Sequence, residues 1–225
     1  IQRARTLKSG KFSGHSVLYW MNRDKRIDDN WALIEAQNIA IKNRVPLIVC
    51  FQYIGKFLNA NIRQYGFLFK GLEELRIKLE QLNIEFLLIQ KKAVNAIPEI
   101  VNKKSVGMII VDYNPLKSYR KKIMDVVNHI DIPMYQIDAH NIIPAWVTSQ
   151  KKEYAAYTIR KKIQNNLGKY LTDFPKIKKH PYGLIKPKVE IYSRIIDHLV
   201  IDHTVKEIDW IEPGEKAAAD RLKIL

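Results

Sequence analysis

Cysteine is almost absent from this sequence: among 225 residues the only one is Cys50. A disulfide framework within the chain is therefore excluded, and a reducing, cytoplasmic compartment is expected. Long apolar runs are missing too. No stretch reaches the roughly 18 residues that a membrane-crossing helix needs, and no basic-then-apolar signal opens the chain. No membrane partner is expected. The first residue is Ile1 rather than Met, so a trimmed or incomplete chain is expected. Glycine is absent where dinucleotide sites need it. The first apolar run ends in Tyr19-Trp20-Met21-Asn22-Arg23-Asp24, without glycine, which argues against a standard NAD site. What remains is 47% hydrophobic and 27% charged, a globular balance. The length allows one large domain, or one domain and part of another.

Acidic residues are also short, 23 against 38 Lys and Arg, for a net charge of +15. The excess is uneven. Residues 1–150 and residues 151–188 each carry +9, whereas residues 189–225 carry −3. A dense basic stretch followed by an acidic tail marks a change of structural unit. Basic excess favours polyanions through phosphate neutralisation, and a solvated Lys-rich surface is the plainer alternative.

Residues 16–138 alternate short apolar runs with longer amphipathic ones. Strands are expected at Ser16–Met21, Pro46–Tyr53, Glu85–Gln90, Gly107–Asp112 and Pro133–Asp138. Between them, Asp28 or Asp29 can cap a helix over Asn30–Asn43. Leu68, Leu72, Leu75, Leu79 and Leu82 mark a second helix by their period. Ala93–Asn102, weakened by Pro98, and Lys117–Asn128 are the other two. Continuous apolar strands separated by helices predict an α/β fold: a doubly wound, Rossmann-like, five-stranded parallel sheet covered on both faces. After Asp138 the pattern changes. Ala156, Ile159, Ile163, Leu167 and Tyr170 mark a long basic amphipathic helix. Residues 172–188, with Pro175, Pro181, Gly183 and Pro187, form an extended linker. Residues 189–225 are too few to bury a core of their own.

The densest polar cluster, Asn22 to Trp31, follows the first strand at the carboxyl edge, where open α/β sheets bind ligands. Its alternating Arg and Asp suit either an ion-pair network or direct ligand contact. Asp138-Ala139-His140-Asn141 ends the last strand and suits either a polar ligand or backbone satisfaction. The six histidines show no metal spacing. Cys50 lies inside an apolar strand as a small hydrophobe. Tyr154, Tyr157, Tyr170 and Tyr182 interleave with the basic stretch, a pattern shared by nucleic-acid binders and by packed domain faces.

The run Tyr19-Trp20-Met21-x-Arg23-Asp24-x-Arg26-x-x-Asp29-Asn30-Trp31-Ala32-Leu33 resembles the amino-terminal signature of the photolyase–cryptochrome superfamily, class II cyclobutane pyrimidine dimer photolyases in particular. Asp138-Ala139-His140-Asn141-Ile142-x-Pro144-x-Trp146-Val147 and Glu153-Tyr154-Ala155-Ala156-x-Thr158-Ile159-Arg160-x-Lys162-Ile163 are similar to later class II blocks, and Asp112-Tyr113-Asn114-Pro115-Leu116 to a looser one. The likeness runs from near residue 15 to the end of the chain.

That resemblance implies an amino-terminal Rossmann-like antenna domain over residues 1–144. A basic helix and interdomain linker would cover 145–190, and the start of an all-helical FAD domain 191–225. It further implies a light-driven enzyme. Excited reduced FAD passes an electron to a pyrimidine dimer flipped out of UV-damaged DNA. The FAD pocket and most of the DNA surface would lie beyond Leu225, so no catalytic residue and no metal ligand is assigned here, and Trp210 receives no electron-transfer role. The sheet edge could hold an antenna pigment such as a deazaflavin. By the strand-end rule its candidate contacts are Met21, Asn22, Arg23, Gln52, Tyr53, Asp112, Tyr113, Asn114 and His140. The alternatives are a stand-alone pigment- or partner-binding module without repair activity, a cryptochrome-like photoreceptor, and a generic basic nucleic-acid binder.

Overall fold

A computed structural model describes residues 3–183 and 193–224. The linker positions 184–192, among them Pro187 and the expected domain boundary near residue 190, lie outside the described residues.

A six-stranded sheet has the order β1-β6-β5-β2-β3-β4. Its strands are β1 (Ala4–Lys8), β2 (Ser16–Met21), β3 (Leu47–Gln52), β4 (Glu85–Ile89), β5 (Val106–Asp112) and β6 (Met134–Ile137). The five strands expected from the apolar runs are all present and parallel. β1 adds a sixth, antiparallel to β6 at the edge. The chain runs outward from β2 through β3 to β4, then returns to β5 beside β2. The switch point therefore lies between β2 and β5.

Period-two alternation divides the core. Val17, Tyr19 and Met21 face one cluster with α1 (Trp31–Asn43) and α2 (Ile62–Gln81). Leu18 and Trp20 face the other, with α3 (Ala93–Lys103) and α4 (Lys117–Val127). β2 is buried on both faces, as a central parallel strand should be. The cap of α1 differs from expectation. Asp29 adopts φ 54°, and Asn30 is the N-cap, its side chain accepting from the amides of Ala32 and Leu33. Asn30 can do this because its β-region backbone aims its side chain back at the first turn. Gly14 is required by close approach: a Cβ there would lie 2.6 Å from the Gly107 nitrogen and the Ser105 oxygen.

The rest of the chain wraps this sheet. α5 (Ala145–Thr148) leads to α6 (Ala156–Tyr170), of which only Tyr170 is buried. Arg3 pins its end, donating to the carbonyls of Asn141, Ile142 and Tyr170 while its guanidinium lies 4.7 Å from the Trp31 ring. The described linker residues dock on α1 and the end of α2. Gln37 exchanges two bonds with Lys178, the His180 amide donates to the Leu82 carbonyl, and the Asn83 amide donates to the carbonyls of His180 and Gly183. Beyond them come α7 (Ser193–Ile196) and α8 (Glu215–Leu222). Ile196 and Leu199 enter the first core cluster. The Ile62 amide donates to the Asp202 carbonyl, Lys70 pairs with Glu207, and Glu215 accepts from the amides of Ile27 and Asp28. Too short for a core of its own, this segment borrows that of the sheet.

Candidate functional site

Helices reach β2 and β3 from both sides, and a cavity of about 190 Å³ opens where those strands end. Asn22 and Lys25 line it from the loop after β2. Phe51, Gln52 and Tyr53 line it from the end of β3, with Ile54 and Phe57 as a partly exposed apolar rim. α2 supplies Gln64, Tyr65 and Leu68, and α4 supplies Tyr119 and Lys122. Among the described residues no carboxylate lines it.

The polar groups are held, not loose. Gln52 accepts from Lys122 Nζ at 3.1 Å and donates to the Lys91 carbonyl at 3.2 Å. Lys122 Nζ lies 4.2 Å from the Tyr119 ring centroid and 5.8 Å from that of Trp20. Burial lowers its amine to about 8. The Tyr65 hydroxyl donates to the Ile54 carbonyl at 2.6 Å, fixing the rim. Tyr53 packs edge-on against Phe69 at 5.2 Å, and burial raises both phenols, Tyr53 and Tyr65.

Of the nine strand-end candidates, Asn22, Gln52 and Tyr53 come together in this cavity. The other six do not line it. Met21 faces the core. Asp112, fully buried, accepts the amides of Asn22, Arg23 and Asp24 at 2.6, 2.5 and 2.9 Å. Burial outweighs those bonds and lifts its carboxyl to about 6. Tyr113 packs against Trp146 at 5.5 Å, and Asn114 accepts the Leu116 amide. His140 sits in a separate surface groove beside α6, its Nδ1 3.3 Å from Asp24. Asp138 is spent on the amides of His140, Asn141 and Ala145. The Arg-Asp cluster is an ion-pair network: Arg26 bonds Asp24 at 2.6 Å and donates to the carbonyls of Asp29 and Ala139. Arg23 meets Asp112 through its amide alone.

The strand-end rule missed the contributions of α2 and α4. Tyr119 and Lys122, three apart on a helix that follows a strand end, were the available signal. Cys50 is buried, and burial raises its thiol. Among the described residues no His/Cys/Asp/Glu group could hold a metal, and no helix is long and apolar enough to cross a membrane.

An open, mostly parallel α/β sheet with a cleft at its carboxyl edge defines a Rossmann-like domain. Comparison narrows that class. Residues 17–180 match the DNA photolyase family model. The chain is 39% identical over 211 residues to the deoxyribodipyrimidine photo-lyase of Potorous tridactylus, covering 92% of this chain and 40% of that protein. It is 37% identical to the same-named protein of Arabidopsis thaliana, covering 98% of this chain and 47% of that one. A class III photolyase from Agrobacterium tumefaciens superposes with a TM-score of 0.66 at 17% identity, over 96% of this chain and 45% of that one. The chain therefore belongs to the DNA photolyase family, and it spans less than half the length of these relatives.

Proposed function

We propose that this chain is the antenna-domain part of a light-dependent DNA repair enzyme that splits cyclobutane pyrimidine dimers, of the class II type. The observation that carries the photolyase reading is likeness to deoxyribodipyrimidine photo-lyases over more than nine-tenths of the chain, and the class II type rests on the resemblance of the blocks at 19–33, 138–147 and 153–163. Residues 1–144 form the antenna domain, 145–190 the basic helix and linker, and 191–225 the entry to a helical FAD domain. FAD binding, the electron transfer and most contacts with UV-damaged DNA belong to the part outside this sequence.

The lining of the cavity above β2 and β3 suits the ring system of an antenna pigment, whose remainder would extend past the open rim at Ile54 and Phe57. Its aromatic and aliphatic walls suit a flat ring system, and its amides and ammonium groups suit ring carbonyls and oxyanions. Bound there, a pigment such as a deazaflavin would absorb light and pass the excitation to the flavin. Asn22, Gln52 and Lys122 would orient it, and Tyr53 with Phe57 would shield it from water.

The test is an absorption spectrum of the purified full-length protein, followed by near-UV irradiation with dimer-containing DNA. Flavin absorbance and loss of dimers are expected. Pigment absorbance without dimer loss would favour a stand-alone module, and absence of both flavin and repair would refute the proposal. Ala60 also lines the cavity, and Ala60→Trp, which fills it, should remove any pigment band while sparing flavin-driven repair.

A further inference from the structure

We propose that the cleft between edge strand β1 and helix α4 is a phosphate-binding surface whose occupant is the backbone of duplex DNA, held without regard to sequence or lesion. This rests on the reading that the whole protein works on DNA. The cleft, of about 350 Å³, is separate from the candidate pigment cavity. Among the described residues four cations line it, Arg5 from β1 and Lys117, Arg120 and Lys121 from α4, with no carboxylate.

Two physical costs set this cluster apart from a merely solvated basic face. Lys117 occupies the first turn of α4, where the helix dipole disfavours a cation, and that turn holds no acidic residue. Lys117 and Lys121 are four apart, a like-charge pair that weakens a helix. Among the described residues no ion pair of 4 Å or less forms at any of the four cleft cations, although Lys8 on the same strand as Arg5 pairs with Asp131. Arg5 is prearranged. Its Nε donates to Gln136 Oε1 at 2.8 Å, and its guanidinium carbon lies 4.9 Å from the Trp146 ring and 5.7 Å from that of Tyr113. It is half-buried, and both burial and nearby Arg120 disfavour its charge. Asp138, the carboxylate that offsets this, has its own oxygens occupied by Asn141 and by backbone amides.

A phosphate answers each of these features. It pairs with a guanidinium fork through two oxygens, and a fork already fixed by packing loses little freedom in doing so. The three exposed cations of α4 extend the site beyond one phosphate, and a chain of net charge +15 attracts a polyanion more than a single small anion.

The experiment measures anisotropy of a short labelled undamaged duplex against salt, using the full-length protein. The variant Lys117→Gln/Arg120→Gln/Lys121→Gln alters exposed positions only. Loss of three phosphate contacts should flatten the slope of log K against log salt by about 2.7. A second triple variant, Lys151→Gln/Lys152→Gln/Lys161→Gln, removes equal charge from the exposed part of the linker. It should flatten the slope less. An unchanged slope in the first variant, or equal loss in both, overturns the proposal. So does displacement of the duplex by polyglutamate or by inorganic phosphate at equal charge concentration, which would identify an acidic polypeptide or a small-anion site. Dimer splitting under light is read on the same samples. Its absence in every sample refutes the repair reading, whereas intact splitting with an unchanged slope refutes only the cleft.

Discussion

Asn30 offers a sharp test of how the loop after β2 is built, because its generic and its local behaviour point in opposite directions. At a helix N-cap Asp serves about as well as Asn, so Asn30→Asp should be neutral on propensity alone. Here the side chain is fully buried and works at both ends. Its Oδ1 accepts the amides of Ala32 and Leu33 at 3.0 and 3.2 Å. Its Nδ2 donates to the carbonyls of Asp24 and Arg26 at 3.1 and 2.9 Å and faces the Tyr19 hydroxyl at 3.2 Å. Asp keeps the cap but turns the second oxygen against two carbonyls: that of Arg26, part-buried, loses this donor, and that of Asp24, buried, keeps only the Arg26 amide at 3.0 Å. The lost donations together with a buried carboxylate oxygen that faces carbonyls and has no donor cost about 4 kcal/mol at pH 7. Asn30→Ala loses the same two donations and the cap, for about 5 kcal/mol. With a urea slope of about 2 kcal/mol per molar, the Asp variant should unfold about 2 M earlier than the parent. Acid should partly rescue it. The carboxyl is easier to protonate folded than unfolded, so stability rises as pH falls from the raised folded pKa toward about 3.9, the ordinary Asp value. A midpoint within about 0.3 M of the parent at pH 7 would refute this account of the loop.

Three further outcomes are expected. Gly14→Ala places a methyl against backbone atoms on both sides and should cost about 3 kcal/mol, visible as a lowered Tm; an unchanged Tm would show that the crossing over β5 is slack. His180 is buried with Nε2 at 2.9 Å from the Val45 carbonyl, and burial holds its folded pKa below 6.5. The unfolded chain thus takes the proton first, so stability should be full above pH 6.5 and decline below it, and His180→Gln should flatten that limb of a pH-dependent urea series. Lys122, with its amine lowered to about 8, should acylate ahead of the surface lysines in competitive labelling at pH 8, and an ordinary lysine profile there would contradict its desolvation.

How much was legible follows from which forces are local. Five strands could be read because a strand buried on both faces leaves a continuous apolar run, as in Ser16–Met21 and Val106–Asp112. β1 could not. Its sequence, Ala4-Arg5-Thr6-Leu7-Lys8, alternates with two cations and reads as a basic tail, and only pairing with β6 makes it a strand. The cap moved from Asp28 or Asp29 to Asn30 because only tertiary contacts ask for a donor as well as an acceptor at that position. The linker presented prolines and lysines, and nothing in those residues announces that Gln37 and Asn83 hold it.

The site divides along the same line. The edge of the sheet was legible, and three of nine chosen residues do line the cavity, but polar side chains at strand ends have two competing employments. Asp112, Asn114 and Asp138 are consumed by backbone amides, since buried donors must be satisfied before any ligand is. The block by which the family is recognised therefore acts chiefly as a lock. Asp112 gathers the amides of residues 22–24, Arg26 ties that turn to Asp24 and Ala139, and Asn30 closes it onto α1. Only Asn22 and Lys25 of that block face the cavity. The lock still reaches the site electrostatically. The buried Asp112 carboxylate supports the charge on both Lys25 and Lys122, opposing the burial that would neutralise them. An occupant carrying negative charge would add to that support and would in turn lift Asp112 further, so charge bound in the cavity would be felt at the loop's anchor.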